Sequence, residues 1–174
     1  MSPRAAWRLE SLGFTKVYDY VGGKTDWIAA GLPVEGELAN VPRAIDVVKR
    51  EVPVCRRFDL IGDVGDQVEA AREDLCIVTN DEGIVLGRLR RRALANARGK
   101  AVHEVMESGP TTTRADDELE GLVQRLHNAD VRSMLITTPE GRLLGVVYRE
   151  DAEAYLADQG WCRNCERRVN DAAT

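Results

Sequence analysis

An internal duplication limits the folds open to this chain more than any other feature of its sequence. Residues 79–87 recur as residues 137–145, about 58 positions later, and both copies carry a Glu-Gly pair between apolar stretches. Ahead of each copy lie an apolar-periodic segment and a short extended stretch with a proline, Pro53 or Pro110. A unit of this size usually cannot bury its apolar face alone. The repeat therefore predicts one pseudo-symmetric module with a cleft where the two units meet.

Each unit is predicted to run helix, strand, helix, strand, turn, strand, helix. Residues 44–49 in unit one parallel 101–106 in unit two as the leading segments, and residues 53–56 parallel 110–113 as the first strands. A core-facing helix follows in each unit, because apolar side chains recur at helical spacing. These side chains are Ile61, Val64, Val68 and Ala71 in unit one, and Leu119, Leu122, Leu126 and Ala129 in unit two. The remaining predicted elements are strands at 75–79 and 133–137, turns ending at Gly83 and Gly141, strands at 84–89 and 142–148, and helices at 91–97 and 150–156.

Composition and charge exclude several classes of protein. With 44% hydrophobic and 30% charged residues and a net charge of −5, we expect a globular protein that binds neither nucleic acid nor a membrane. No apolar run approaches the roughly 18 residues that span a bilayer, and no signal-peptide pattern is present, so we expect a cytoplasmic protein. The cysteines are too few and too scattered for a disulfide framework. They are Cys55, Cys76, Cys162 and Cys165.

Unit two carries residues typical of a known family. They are Val105, Met106, Pro110, Thr113, Ala115, Asp116, Ile136, Glu140, Gly141 and residues 144–147. Together with the order, spacing and duplication of the elements, they resemble the CBS domain, which occurs as tandem pairs called Bateman modules. The resemblance implies an α/β (α+β) fold with two pseudo-symmetric CBS βαββα units, each built on a small three-stranded sheet. It places unit one at 44–98, unit two at 101–158 and a polar tail at 159–174.

The resemblance also implies a ligand site. The family pattern after the last strand is Gly, two apolar residues, Thr or Ser, two residues and Asp, where the Asp accepts from both ribose hydroxyls. Unit two has Asp151 in place and Tyr148 instead of the small hydroxyl residue, whereas unit one has Ala93 where the ribose acceptor belongs. We therefore expect one functional cleft, which binds an adenosine derivative such as AMP, ADP, ATP or S-adenosylmethionine. Its predicted ligand-binding residues are Val54, Ile77, Thr111, Tyr148, Arg149 and Asp151.

The charges around this motif leave other interpretations open. Arg149 would add positive charge for a phosphate, although Glu73 and Asp74 would oppose it. Arg90 and Arg91, in the other cleft next to residues 111–113, would bind an anion without a ribose. Asp151 is equally explained as an acidic residue in the first turn of a helix. Tyr148 is explained as strand-end packing, and residues 90–92 as a solvated face.

Two function classes remain at this stage. The sequence has no nucleophile–base pair, metal triad or P-loop, so we expect a regulatory module and not an enzyme. The first hypothesis is a sensor in which the nucleotide bridges the two units. The alternative is a ligand-free scaffold that dimerises or docks on a partner, and a homodimer is expected in either case.

The two ends of the chain carry separate patterns. Residues 5–12 are predicted as a helix and 14–21 as a strand. With Gly22, Gly23, Trp27 and residues 31–36 they resemble the C-terminal end of a rhodanese-like domain, a remnant at 1–40. The nucleophilic cysteine of that family precedes such a helix and is absent here, so sulfur transfer is not expected. At the other end, the C-x-x-C spacing of Cys162 and Cys165 is favoured to be part of a frayed polar tail. The alternative is half of a Cys₄ zinc site, which a homodimer would complete.

Overall fold

The computed structural model describes residues 2–36 and 39–160 of the chain. The two predicted units form two small sheets with helices packed on them, which confirms the α/β (α+β) prediction. The helices are α1 (Ser2–Ser11), α2 (Gly23–Ala29), a 3₁₀ helix (Ala44–Val47), α3 (Ile61–Ala71), α4 (Arg91–Asn96), α5 (Val102–Val105), α6 (Leu119–Asn128) and α7 (Arg149–Asp158). The strands are β1 (Val54–Arg56), β2 (Leu75–Thr79), β3 (Val85–Arg90), β4 (Glu107–Ser108), β5 (Thr112–Arg114), β6 (Ser133–Thr137) and β7 (Leu143–Tyr148).

The two sheets repeat the same topology. In the first sheet β1 runs parallel to β2, and β2 is antiparallel to β3; in the second sheet β5, β6 and β7 are arranged in the same way. Each hairpin has an irregularity at the equivalent place, between Val78 and Thr79 and between Ile136 and Thr137. The second sheet has the three strands that were predicted. The first has four, because the short strand β4 adds to the edge of β3.

The structure corrects the register of the repeat at its start. Val54 pairs with Ile77 as Thr112 pairs with Leu135, so the offset of 58 found in the hairpins also holds for the first strands. The predicted pairings of 53–56 with 110–113, and of 44–49 with 101–106, are therefore wrong by one residue. Pro53 and Pro110 do not occupy equivalent positions, so a pairing of the units that matches these two prolines is off by one residue. The arginines do: Arg56 Nη1 and Arg114 Nη1 each donate to the threonine hydroxyl that ends the next strand, at 2.6 Å.

The leading segment of each unit packs on the other unit. The 3₁₀ helix joins unit two, where the Ala44 N–H donates to the carbonyl of Asp117 at 2.9 Å and Ala44 is fully buried beside α6 and α7. Conversely, the Val102 N–H donates to the carbonyl of Asp59 at 2.9 Å, and Val102 is buried in the core of unit one. The two units therefore exchange these segments around the pseudo-twofold axis.

Gly145 permits the close backbone approach of the leading segment of unit one to the last strand of unit two. Lys49 and Val146 form two backbone hydrogen bonds, at 2.8 Å and 3.0 Å, immediately beside Gly145. Gly145 has φ +149°, and a Cβ atom there would overlap the carbonyl of Lys49. Only glycine combines this backbone conformation with so close a neighbour. Gly87 is equivalent in unit one, where a Cβ would lie 2.9 Å from Met106 Sδ and 3.0 Å from the carbonyl oxygen of Glu107.

The sheets face each other across a small apolar layer. Leu75, Ile77, Leu135 and Val146 are buried together there. At one end of this layer the hairpin tips pair, since the Val85 N–H donates to the carbonyl of Gly141 and the Leu143 N–H to that of Gly83, each at 3.0 Å. The opposite end of the layer, at the N-terminal ends of β2 and β6, is open.

The N-terminal segment differs from its prediction. Residues 14–21 form no strand, and the helix α2 follows them. No neighbouring strand in the described part of the chain covers the alternating apolar side chains of this segment, since Tyr18 is 87% exposed and Val21 is 95% exposed. The segment is anchored by the buried side chains of Ile28 and Ala29 and by a hydrogen bond of 3.2 Å from Thr25 Oγ1 to Asp116. The strand that the rhodanese-like resemblance requires is thus not formed.

None of the helices in the described part of the chain has the length and apolar character needed to cross a bilayer.

Candidate ligand site between the two units

A cleft of about 840 Å³ occupies the open end of the layer between the sheets. It lies where β3 leads into α4 and β7 leads into α7, without a connecting loop in either unit. The residues after the last strand of both units consequently line one continuous cleft. Eight basic and five acidic residues are among those that line it.

The half of the cleft built by unit two is centred on Tyr148. The Tyr148 hydroxyl donates to Glu73 Oε2 of unit one at 2.8 Å. The ammonium group of Lys49 pairs with the same carboxylate, and its Nζ lies 5.8 Å from the centre of the Tyr148 ring. The Glu73 side chain is only 9% exposed. A carboxylate of unit one is therefore held between two donors at the interface of the units.

Tyr148 and Lys49 both have shifted pKa values because of the groups around them. Burial raises the pKa of the Tyr148 phenol well above its usual range, and the neighbouring carboxylates of Glu73, Asp74 and Asp151 add to the rise. The hydrogen bond to Glu73 raises the pKa of Lys49, with a smaller effect from Asp151. The charge of Asp151 thus contributes to the raised pKa of both Tyr148 and Lys49. At neutral pH Tyr148 is an uncharged donor and Lys49 a cation.

The half built by unit one is rich in arginine. Arg90 stands at the position equivalent to Tyr148, and Ala93, in place of Asp151, offers no acceptor. Arg88 Nε and Arg90 Nε pair with Glu107 at 2.7 Å and 3.1 Å, and the contact with Arg88 is the main cause that lowers the pKa of that carboxyl. Arg91 pairs with Asp74 at 3.1 Å. This half has the chemistry to bind an anion, and it lacks an aspartate at position 93 to accept from a ribose.

The structure places only some of the predicted site residues on the cleft. Tyr148, Arg149 and Asp151 line it, together with residues 73–75, the segment before Ile77 that was expected to face Asp151. Arg90 and Arg91 line this same cleft, not a separate one beside residues 111–113.

The other three predicted residues lie elsewhere. Ile77 is fully buried between the sheets, Val54 is 37% exposed on β1, and Thr111 is exposed just before β5; none of them lines the cleft. The cleft opens at the N-terminal end of β2, so residues further along the strands are out of reach. Lys49 also lines the cleft, but it was not among the predicted site residues. No sequence motif contains it, because its place beside Tyr148 depends on how the two units pack.

Metal binding has no support in the described part of the chain, where no group of three or more His, Cys, Asp or Glu side chains could hold an ion. Cys162 and Cys165, the alternative zinc half-site, lie outside the described residues.

Comparison with known proteins defines the class to which this fold belongs. Residues 102–158 match the model of the CBS domain family. No curated protein sequence shows significant similarity to the chain. Solved structures of CBS pairs do match, and the likeness extends over both units. The chain therefore has the fold of a CBS pair, as the resemblance of unit two implied.

Three of the solved structures that match the chain carry adenosine-type ligands. The cytosolic domain of the Mg²⁺ channel MgtE in complex with ATP has a TM-score of 0.61 and 23% identity, over 66% of this chain and 49% of that chain. The CBS domain pair of protein MJ0100, with 5′-methylthioadenosine and S-adenosyl-L-methionine, has a TM-score of 0.60 and 13% identity, over 68% and 98%. CBSX2 of Arabidopsis thaliana in complex with AMP has a TM-score of 0.61 and 17% identity, over 68% and 98%. The match thus spans about half of the MgtE domain.

Proposed function

We propose that the chain is a regulatory module that senses an adenosine-containing nucleotide, which binds in the cleft between the units. One observation carries this proposal: the residues after the last strand of both units meet in a single cleft, where a ligand would touch both units at once. A ligand that bridges two units favours the arrangement in which both contacts are made, so its binding is coupled to how the units pack. The role proposed is regulatory and not catalytic.

In this proposal Asp151 accepts from the ribose hydroxyls. It is exposed on the first turn of α7 and acts electrostatically on Lys49 and Tyr148, so it lies at the mouth of the unit-two half. Phosphate groups would be bound by the arginines along the cleft, since a guanidinium group donates two parallel hydrogen bonds to phosphate oxygens. The ATP, AMP and S-adenosyl-L-methionine complexes of CBS pairs with this fold support the choice of ligand class.

Asp151→Ala tests this assignment directly. Thermal unfolding is measured with adenosine, AMP, ADP, ATP and S-adenosylmethionine. At 100 times its dissociation constant a ligand adds roughly 2.7 kcal/mol to the free energy of unfolding, a rise of several degrees in Tm. We expect a selective rise that Asp151→Ala removes. Asp63→Ala is the matched control, because Asp63 lies in the first turn of α3 and away from the cleft. Unchanged affinity in Asp151→Ala would show that the ribose site is wrongly placed.

A ligand-free scaffold is the second candidate function, and the internal ion pairs of the cleft favour it. Glu73 binds Lys49 and Tyr148, Glu107 binds Arg88 and Arg90, and Asp74 binds Arg91, so much of the charge is already balanced. In this case no nucleotide would raise Tm, and the chain would form a homodimer or dock on a partner. Light scattering at micromolar concentration measures the dimer, and a monomer would count against a dimerisation scaffold.

A further inference from the structure

The exposed apolar side chains of the protein are confined to its first sixty residues. Twelve large apolar side chains are exposed in the described part of the chain, and none of them lies after residue 60. Single exposed apolar residues are common on protein surfaces, whereas a concentration of them marks a surface that another molecule covers. Seven belong to residues 2–21, which we call the N-terminal arm: Trp7, Leu9, Leu12, Phe14, Tyr18, Tyr20 and Val21. Three belong to unit one: Val54, Phe58 and Leu60.

The helix α1 of the N-terminal arm is hardly supported by its own chain. Only two of residues 3–22 are half-buried, and all the others are exposed. An isolated helix of ten residues is marginal in water, because most helices in proteins are stabilised by packing of an apolar face. Leu9 and Leu12 lie on one face of α1, and Phe14 follows directly after the helix. The arm therefore has an apolar surface that its own chain leaves uncovered.

Unit one has an uncovered surface at the place where α2 covers unit two. The 58-residue offset makes residues 56–60 equivalent to 114–118, and an isolated backbone bridge at the same place in each unit fixes this register. In unit two this connection is buried or half-buried except at Glu118, and Ala29 of α2 belongs to the same core cluster as Ala115. In unit one every residue of 56–60 is exposed. The pseudo-symmetry thus leaves on unit one a place for a helix that its own chain does not fill.

The side chains at this place suit a protein interface. In unit two, Asp116 accepts a hydrogen bond from α2, whereas the equivalent residue of unit one is Phe58. Phe58 and Leu60 are both more than half exposed. The Phe58 ring centre lies 5.5 Å from that of His103 and 4.7 Å from the guanidinium carbon of Arg57. Aromatic and arginine side chains are enriched in protein–protein interfaces. We call these four residues of unit one the unit-one face.

We propose that two copies of the chain pair reciprocally, with α1 of each copy packed on the unit-one face of the other. One isologous arrangement then covers both of the apolar surfaces that a single chain leaves exposed. The arm stays anchored to unit two of its own chain through the buried side chains of Ile28 and Ala29, so each copy lends only α1 and the segment after it. This inference concerns a surface away from the cleft and does not depend on a nucleotide.

The exposed area is large enough for a stable dimer. Trp7, Phe14, Tyr18 and Phe58 are between 59% and 87% exposed. Since an aromatic side chain contributes about 150–250 Å² when it is fully buried, these four can bury up to about 400–700 Å² per chain. Reciprocal pairing doubles this to about 800–1,400 Å², which reaches the range of about 1,200–2,000 Å² of specific interfaces, and the leucines add to it.

Sedimentation velocity and light scattering on the full chain test the proposal. We expect a dimer at micromolar concentration. Leu9→Asp/Leu12→Asp charges the apolar face of α1, and Phe58→Asp/Leu60→Glu gives unit one the residues that unit two has at the equivalent positions. Each double variant should raise the Kd of the dimer at least about a hundredfold. Val34→Asp makes the same kind of change at an exposed residue outside both surfaces and should leave the Kd unchanged.

Mixing the two double variants distinguishes this arrangement from other dimers. The variant of α1 keeps an intact unit-one face, and the variant of the unit-one face keeps an intact α1. The mixture should therefore form a heterodimer through one of the two contacts, although each variant alone is a monomer. Native mass spectrometry identifies the heterodimer, and circular dichroism shows that each variant is folded. If a double variant unfolds, Leu9→Asp and Phe58→Asp replace it, because both residues are exposed.

Five outcomes would overturn the inference. A wild-type monomer would show that no second copy covers these surfaces, and a dimer that survives both double variants would use another surface. Loss of the dimer in the α1 variant alone would indicate an arm-to-arm contact, and loss in the variant of the unit-one face alone a contact between two such faces. A mixture that contains only monomers would contradict the reciprocal contact.

Discussion

Gly145→Ala is expected to destabilise the protein strongly, because the exchanged segment of unit one lies against this residue. Two costs add. The backbone at φ +149° is strained for any residue with a Cβ, by about 1–3 kcal/mol. The new methyl group would also push away the carbonyl of Lys49 and weaken the two hydrogen bonds between Lys49 and Val146, each worth about 1 kcal/mol. The sum is about 3–5 kcal/mol.

Calorimetry and chemical denaturation measure this loss. For a chain of this size 1 kcal/mol corresponds to about 2–4 °C in Tm, so we expect a decrease of about 6–20 °C. Gly121→Ala is the matched control: Gly121 lies within α6, and a Cβ there would meet nothing within 4 Å. It should raise the free energy of unfolding by about 0.5–1 kcal/mol. A change below about 0.5 kcal/mol in Gly145→Ala would mean that the leading segment does not lie where the structure has it.

Two further predictions concern single side chains. Cys55 and Cys76 are buried and free, and their mutual contact and burial raise the pKa of the Cys76 thiol far above its usual range. Both thiols should react with a disulfide reagent only at the rate of unfolding, and rapid modification of native protein would contradict their burial. The pKa of Glu107 is lowered in the folded protein, so its stabilising effect is present above the ordinary pKa of a glutamate and is lost as pH falls through the folded pKa. Denaturation measured from about pH 6 to pH 3 should therefore show a smaller acid-induced loss in Glu107→Gln, and equal losses would refute the assignment.

The duplication predicted most of the fold because hairpins and amphipathic helices are encoded locally. The stripe from Ile61 to Val68 and the turn glycines Gly83 and Gly141 fix their elements through spacing and backbone conformation alone. The strand predicted at 14–21 failed for the opposite reason. Alternation favours a strand only where a neighbouring strand completes its hydrogen bonds, and the sequence of the segment carries no information on whether one is present.

The candidate site was predicted only where the family motif is contiguous. Tyr148, Arg149 and Asp151 follow one another at the junction of β7 and α7, so the motif alone locates them. Glu73 and Lys49 come from unit one, and their contact with Tyr148 depends on how the units pack. Val54, Ile77 and Thr111 do not line this cleft, and Ile77 lies further along β2 than the end where the cleft opens.

The exchange of leading segments has a consequence for how the chain unfolds. Ala44 completes the core of unit two, and Val102 completes that of unit one, so neither unit possesses all of its own interior. Cutting the chain between residues 98 and 101 would leave each half without a piece of its own core, because that piece belongs to the other half. The pair should consequently melt in a single cooperative transition, and each unit expressed alone should be a partly folded polypeptide that recovers its structure when the missing segment is supplied as a peptide.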